Sequence, residues 1–380
     1  MRLAHVSDSH IDHSTHAGQN KLAAWRSSQR CLAYAAHRAA AEQVDVFVHP
    51  GDAFAHGHPT PEALKLWVEA VEPVQKAGIP IVLSLGNHEL LRNRRGQRTA
   101  TAVLGDMLAS RGPVEIVDET PRLLHFDFGQ ILALPWVDAM TVLHEHNATG
   151  MDESDANELV AAHVLSQVYD LLAQADVTEP LAMAAHLTVA GGHRGSEKDM
   201  ASLFREPVVH AADLDALPFG YVALGHLHTP QALTAKVRYS GSPQRFTFTD
   251  EPDTKIFHIA EVSGSGQLDS VRSLATPARG LQTVRVGEDV TIADKALLRV
   301  MLRPGERDVP PDVERAVKAS GARVVKVERA PRVPAERTGQ AEHAMTLAST
   351  PDDLLRAWLS EEHPEAAVEP VLQLAAGLAA

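Results

Sequence analysis

Ile79-Pro80-Ile81-Val82-Leu83-Ser84-Leu85-Gly86-Asn87-His88-Glu89 changes character in a single step. A short apolar run that reads as a buried strand stops on a glycine, an amide, an imidazole and a carboxylate, residue types that turn a chain and hold ligands. The same grammar recurs four more times. Leu3 to Ser7 runs into Asp8-Ser9-His10, Val44 to His49 into Gly51-Asp52, Leu181 to Ala185 into His186, and Tyr221 to Leu224 into Gly225-His226-Leu227-His228. Lys21 to Gln43 and Pro61 to Lys76 read as helices, the second with Thr60 as N-cap and Pro61 at its first position. Strands alternating with helices predict an α/β protein. In open α/β sheets ligands bind at the carboxyl ends of the strands, so five such ends can meet in one crevice however far apart they lie in sequence.

The remaining chain extends this pattern. A helix is predicted near Thr99 to Ser110, then three short strands, Val114 to Val117, Arg122 to Phe126 and Gln130 to Leu134, with local antiparallel pairing, then a helix over Asp155 to Ala173. Lys255 to Val262 is strand-like. Beyond it, Leu281 to Val286, Leu297 to Leu302, Pro311 to Ala319 and Arg323 to Glu328 form a β-β-α-β unit without a chemical cluster. Ala330 to Gln340, polar with two prolines, reads as a linker, and Thr350-Pro351-Asp352-Asp353 opens an amphipathic helix carrying Leu354, Leu355, Trp358 and Leu359, with a further helix over Pro370 to Leu378. The expected division is 1–262, 263–335 and 336–380.

Composition bounds the function. The 380 residues are 44% hydrophobic and 22% charged, as in ordinary globular protein, and the length accommodates two or three domains. A net charge of −14 is wrong for a protein that wraps a polyanion with its whole surface. Contact with nucleic acid must then be local, metal-assisted or shared with a partner. The single cysteine, Cys31, cannot form an internal disulfide and reads as a small buried apolar residue in a reducing compartment. The N-terminus turns polar too soon for a signal peptide, and no stretch reaches the ~18 apolar residues of a membrane span, so a cytoplasmic protein is expected.

Carboxylate and imidazole together suit two divalent cations such as Mn, Fe or Zn, with one carboxylate free to bridge them. Asp52 is the candidate bridge. Such a pair, about 3.5–4 Å apart, lowers the pKa of a shared water toward neutrality. Asp-x-His and His-x-His spacings put both side chains on one side of an extended segment, and Gly51, Gly86 and Gly225 are expected to let the backbone turn tightly beneath the ions. Singly, each signal is weak, since Gly-Asp or Gly-His-x-His arises by chance in many proteins. Five in order, each at a predicted strand end, are not so easily obtained.

The ordered set D-x-H, G-D, G-N-H-[DE], H, G-H-x-H resembles the calcineurin-like metallophosphoesterases at every position. Tyr221-Val222-Ala223-Leu224-Gly225-His226-Leu227-His228-Thr229-Pro230-Gln231, followed by Tyr239-Ser240-Gly241-Ser242-Pro243, narrows the resemblance to the SbcD-type nuclease subunits of double-strand-break repair complexes. It covers roughly residues 1–262 by motif and the remainder in layout only. It implies a four-layer α-β-β-α sandwich with a small α/β cap domain and C-terminal helices. It implies a first metal held by Asp8, His10, Asp52 and His228, a second held by Asp52, Asn87, His186 and His226, and His88 as general acid. The activity implied is metal-dependent hydrolysis of DNA phosphodiester bonds, with Mn as the favoured ion. The partners implied are DNA, a coiled-coil ATPase of the SbcC type bound through the C-terminal helices, and a second copy of the chain, with no membrane. A phosphoesterase for cyclic nucleotides or other small esters, and a non-catalytic scaffold on the same fold, are the rival readings.

Several residues read both ways. Relatives often carry His or Asp where this chain has Ala55, with His56 and His58 just beyond, and a bulkier aromatic where it has Ser9, taken as a minor packing change. His5 and His49 read as packed or hydrogen-bonded histidines. His13 and His16, after the first metal motif, either approach substrate or belong to a polar loop. Glu89 is either an orienting or a solvated carboxylate, and Arg92, Arg94, Arg95 and Arg98 either hold phosphates or line a solvated loop.

Overall fold

The computed structural model describes residues 1–14, 21–91, 98–148, 150–193, 206, 208–288 and 291–329. The chain divides into two compact units, Met1–Ala330 and Pro331–Ala380, and the second lies outside the described residues, with the linker and tail helices expected there.

Among the described residues the strands make two six-stranded sheets. The first runs β14 (Leu268–Ala275), β13 (Ile256–Val262), β1 (Arg2–His5), β2 (Val46–Pro50), β3 (Ile81–Ser84), β4 (Val114–Val117). The second runs β11 (Gln231–Ala232), β12 (Val237–Tyr239), β10 (Tyr221–Gly225), β7 (Leu181–His186), β6 (Gly129–Leu134), β5 (Arg122–Phe126). A two-stranded pair, β8 (Thr188–Ala190) and β9 (Val208–His210), lies beside α6 (Ala211–Ala216). The helices α1 (Lys21–Ala41), α2 (Pro61–Lys76), α3 (Ala100–Ala109), α4 (Ala139–Glu145) and α5 (Glu153–Leu172) fill the connections. As the sequence predicts, Thr60 caps α2, its hydroxyl accepting from the Ala63 amide.

The four layers follow from the two-residue period of the strands. In β2, Phe47 faces α1 and α2 in one core while Val46 and Val48 face the second sheet in another. In β7, Ala182 and Ala184 enter the inter-sheet core, and Leu181, Met183 and Ala185 pack outward with Val164 and Val168 of α5. Both faces of both sheets are thus covered, which is why their strands read as unbroken apolar runs. Tyr221, Ala223 and Ala260 complete the inner layer.

One expectation is corrected. β4 does not pair with β5. It joins the first sheet parallel to β3, while β5 and β6 form an antiparallel hairpin in the second. The β-β-α-β unit is present as β15 (Leu281–Arg285), β16 (Leu297–Leu302), α7 (Pro311–Ser320) and β17 (Arg323–Arg329), and all its strands are parallel. Its sheet rests on Phe248, which packs with Leu281 and Leu297, and Glu251 accepts from the Thr283 amide at 2.8 Å. No helix among the described residues is long and apolar enough to cross a membrane.

Candidate metal centre

β1, β2 and β3 run parallel in one sheet, β7 and β10 in the other, and their carboxyl ends bring Asp8, His10, Asp52, Asn87, His88, His186, His226 and His228 together. The backbone there is not extended. Asp8 (φ 53°), His10 (φ 35°), Asp52 (φ 55°) and His226 (φ 111°) all take positive φ, four of the seven non-glycine residues that do so among those described. Strain of this kind persists where the surroundings over-determine it, and here it is concentrated on one constellation. Only Gly51 of the three motif glycines needs its own positive φ, 97°. Gly86 and Gly225 are required for room: a Cβ on the first would fall on Asp52 Oδ1, and on the second would strike the Pro50 carbonyl and His186.

One half of the centre joins Asp8, His10 and His228, whose donor atoms lie within 4.8 Å of one another. His10 donates from Nδ1 to the Phe54 carbonyl at 3.1 Å, so its Nε2 carries a lone pair, and that atom faces Nε2 of His228 at 3.1 Å and Asp52 Oδ2 at 3.5 Å. In the other half His186 donates from Nδ1 to the Pro50 carbonyl at 2.8 Å. Its Nε2 faces Asn87 Oδ1 at 2.9 Å and Asp52 Oδ2 at 3.5 Å, and His226 Nδ1 lies 3.1 Å from the same amide oxygen. Both carboxylate oxygens of Asp8 accept from the His226 amide, at 2.9 and 3.2 Å. Lone pairs converging in a buried pocket repel unless a proton or cation stands between them, and this mixed oxygen and nitrogen donor set fits divalent metal ions.

The electrostatics match that reading. Burial works to raise the Asp52 carboxyl, yet His186, His88 and His10 together hold it well below the usual carboxylate range. Burial pushes Asp8 up to about 8, with Asp52 adding to the rise. His186 would be lowered by burial, but Asp52 and Asp8 raise it to about 9, so the surroundings favour positive charge beside Asp52. Burial keeps His10, His226 and His228 below their ordinary value, neutral and available as donors.

The surroundings resolve several residues that read both ways. Glu89 is buried and joins two strand ends, accepting from the Phe54 amide at 2.9 Å and the Gly86 amide at 3.0 Å. Ser9 is more than a packing change: its hydroxyl accepts from Trp67 Nε1 at 3.2 Å and lies 3.0 Å from His49 Nε2, beneath the centre. His5 and His49 are buried and hydrogen-bonded. Ala55 contributes its carbonyl, which accepts from His88 Nδ1 at 3.1 Å. His13 packs on Phe246, and Arg98 pairs with Asp106 on the surface. His16, Arg92, Arg94 and Arg95 lie outside the described residues. Sequence reasoning missed Trp136, whose ring lies 5.1 Å from that of His226, and Phe246, 5.4 Å from His10 and 5.5 Å from His228. It also missed Glu206, 3.5 Å from His226 Nε2. The usable signal for Trp136 was its place just past the end of a buried strand. Phe246 and Glu206 had none, since neither stands at the end of a strand predicted from the sequence.

Two stacked sheets clad in helices, with carboxylates and imidazoles gathered at their strand ends, define a metallophosphoesterase. Residues 1–230 match the family model of the calcineurin-like phosphoesterases, and the chain belongs to that family. It is accordingly a metal-dependent hydrolase of phosphodiester bonds. Within the family it is similar to SbcD-type nuclease subunits. It is 26% identical over 317 residues to the SbcD subunit of the nuclease SbcCD of Escherichia coli (strain K12), covering 77% of this chain and 72% of that one. It is 32% identical over 266 residues to the SbcD subunit of the same nuclease from Rhodobacter capsulatus, covering 64% and 62%. It is 27% identical over 276 residues to the DNA double-strand break repair protein Mre11 of Methanopyrus kandleri, covering 68% and 52%.

Proposed function

We propose that the chain is a DNA nuclease that uses two divalent ions, with Mn favoured, and serves as the nuclease subunit of an SbcCD-like repair complex. The observation that carries this reading is the convergence of donor atoms from five strand ends, with Asp52 Oδ2 within 3.5 Å of both His10 and His186. Asp8, His10, Asp52 and His228 would hold one ion, and Asp52, Asn87, His186 and His226 the other. The bound ions would supply Lewis acidity toward the phosphoryl oxygens and a water activated at neutral pH. His88 is the proposed general acid. Its Nδ1–H is committed to the Ala55 carbonyl, its Nε2 lies 4.0 Å from Asp52 Oδ2, and its side chain is 32% exposed, so it faces the centre while still open to a substrate. Glu89 holds the His88 loop against the end of β2 through the Gly86 and Phe54 amides.

The relatives' names support DNA as substrate and an SbcC-type ATPase as partner. Such a partner would also supply basic surface that a chain of net charge −14 lacks. We assign residues 1–262 to the phosphoesterase domain, the β15–β17 sheet with α7 to a cap, and residues beyond 335 to the linker and ATPase-binding tail.

The test is Mn-dependent cleavage of end-labelled linear duplex DNA by the purified chain, with His88→Ala and a small phosphodiester in parallel. Duplex cleavage that is abolished in the variant, while the variant still takes up metal, is the expected result. Hydrolysis of the small ester alone, unchanged on adding the ATPase, would reject DNA as the substrate. Metal loss in His88→Ala equal to that in Asp52→Ala would reject the acid.

A further inference from the structure

We propose that Lys255 is a positioning residue for the half of the metal centre built from Asp8, His10 and His228, acting through a buried ion-pair triad with Asp250 and Asp253. The inference rests on the ligand assignment above and deepens it.

Lysine is seldom fully buried, and then only when paired. The Lys255 side chain is wholly enclosed. Its ammonium donates to Asp253 Oδ2 at 2.9 Å, Asp250 Oδ1 at 3.3 Å and the His228 carbonyl at 2.9 Å, so three donors meet three acceptors. The carboxylates are used again. Asp250 Oδ2 accepts from the Phe246 amide at 2.8 Å and the Thr247 amide at 2.9 Å, and Asp253 Oδ2 lies 3.4 Å from the Thr229 hydroxyl.

The triad therefore ends on backbone at two places, the carbonyl of His228 and the adjacent amides of Phe246 and Thr247. Phe246 is buried, and its ring stands edge-on to both His10 and His228, the two imidazoles whose Nε2 atoms face each other at 3.1 Å. One ammonium thus fixes a ligand's main chain and, through the Phe246 amide, the ring that clamps that ligand against its neighbour. Stability alone is a poor reason for such a group, because a buried ion pair can often be replaced by apolar residues without loss. Its location supplies the reason. Two ligands of the other half are held without it: His186 ends β7 itself and bonds Pro50, and Asn87 follows β3, while His226 shares the turn of His228 and gives its amide to Asp8.

Positioning of this kind predicts an asymmetric defect. Supports behind a ligand are typically worth ~10–100-fold in metal affinity. Mn titration of the full chain, read by calorimetry and by the exchange-coupled dimanganese EPR signal, is compared for wild type and Lys255→Met. Lys255→Met leaves two buried carboxylates uncompensated, so Phe246→Leu, which keeps the triad and removes only the ring clamp, is measured beside it, with circular dichroism to establish folding. The expected result is one Mn bound as in wild type, a second weakened at least ~10-fold, and the coupled signal lost. Two ions bound as in wild type by either folded variant would overturn the proposal, as would equal weakening of both. If Lys255→Met does not fold, Phe246→Leu decides alone. Wild type binding fewer than two Mn would instead reject the ligand assignment, and the proposal with it.

Discussion

Asp52 Oδ1 accepts the His88 amide at 3.1 Å, in the space a side chain on Gly86 would need. Gly86→Ala therefore has to push the carboxylate off its amide. Overpacking of this sort costs about 1–3 kcal/mol, and the displaced carboxylate would leave both halves of the centre. Thermal melts without metal and Mn titration should show lower stability and loss of both ions. Ser9 offers a complementary case. Its hydroxyl is shared by Trp67 Nε1 and His49 Nε2, so Ser9→Ala strands two buried polar groups at a cost of roughly 1–3 kcal/mol. A double-mutant cycle with Trp67→Phe in urea should recover part of that loss. Additive effects would show that the Ser9–Trp67 bond carries none of it.

At the scale of elements, β1 and β13 place His5 opposite His258 across their antiparallel register. His5 donates from Nε2 to the Leu224 carbonyl and accepts at Nδ1 from the Tyr221 hydroxyl, while His258 donates to the Tyr239 carbonyl and accepts from Ser273. Both rings are fully used as neutral imidazoles. Burial holds His5 well below its ordinary 6.5 and lowers His258 to about 4. At these two rings the unfolded chain binds more protons than the folded one between pH 6.5 and about 4, so their contribution to stability is level above 6.5 and is lost as the pH drops through that window. The slope is about 1.4 kcal/mol per pH unit for each such ring, and His258→Gln should flatten it in urea titrations run across the range. A slope unchanged by the substitution would count against a neutral His258. The elements that bear the site were legible because their two-sided burial makes apolar runs with abrupt ends. What was not legible has a physical cause in each case. β4 and β5 are separated by a short turn that normally joins partners, and nothing local says that the chain crosses between sheets there. β14, Leu268–Ala275, is an edge strand with Asp269, Arg272 and Ser273 exposed, so its pattern is too polar to read. Left-handed backbone at Asp8, His10, Asp52 and His226 leaves no mark on side-chain pattern at all.

For the whole molecule, the proposed division between phosphoesterase domain and tail predicts separable losses. Truncation after Gln340 should abolish association with the ATPase while leaving hydrolysis of a small phosphodiester at the full-length rate, as measured by co-purification and by a chromogenic ester. Binding that survives truncation would move the interface elsewhere. The order of strands in the first sheet has a consequence of another kind. β1, which precedes the other strands in sequence and delivers Asp8 and His10, is flanked by β2 on one side and β13 on the other, with Arg2 opposite Glu261. His226 and His228 come only after β10. A chain emerging from the ribosome thus holds its first donors idle through most of its synthesis, and pairings this distant in sequence are slow to close. Translation must pass Val262 before β1 has both of its neighbours, so a fragment ending earlier, though it carries every donor, should take up less Mn than the full chain.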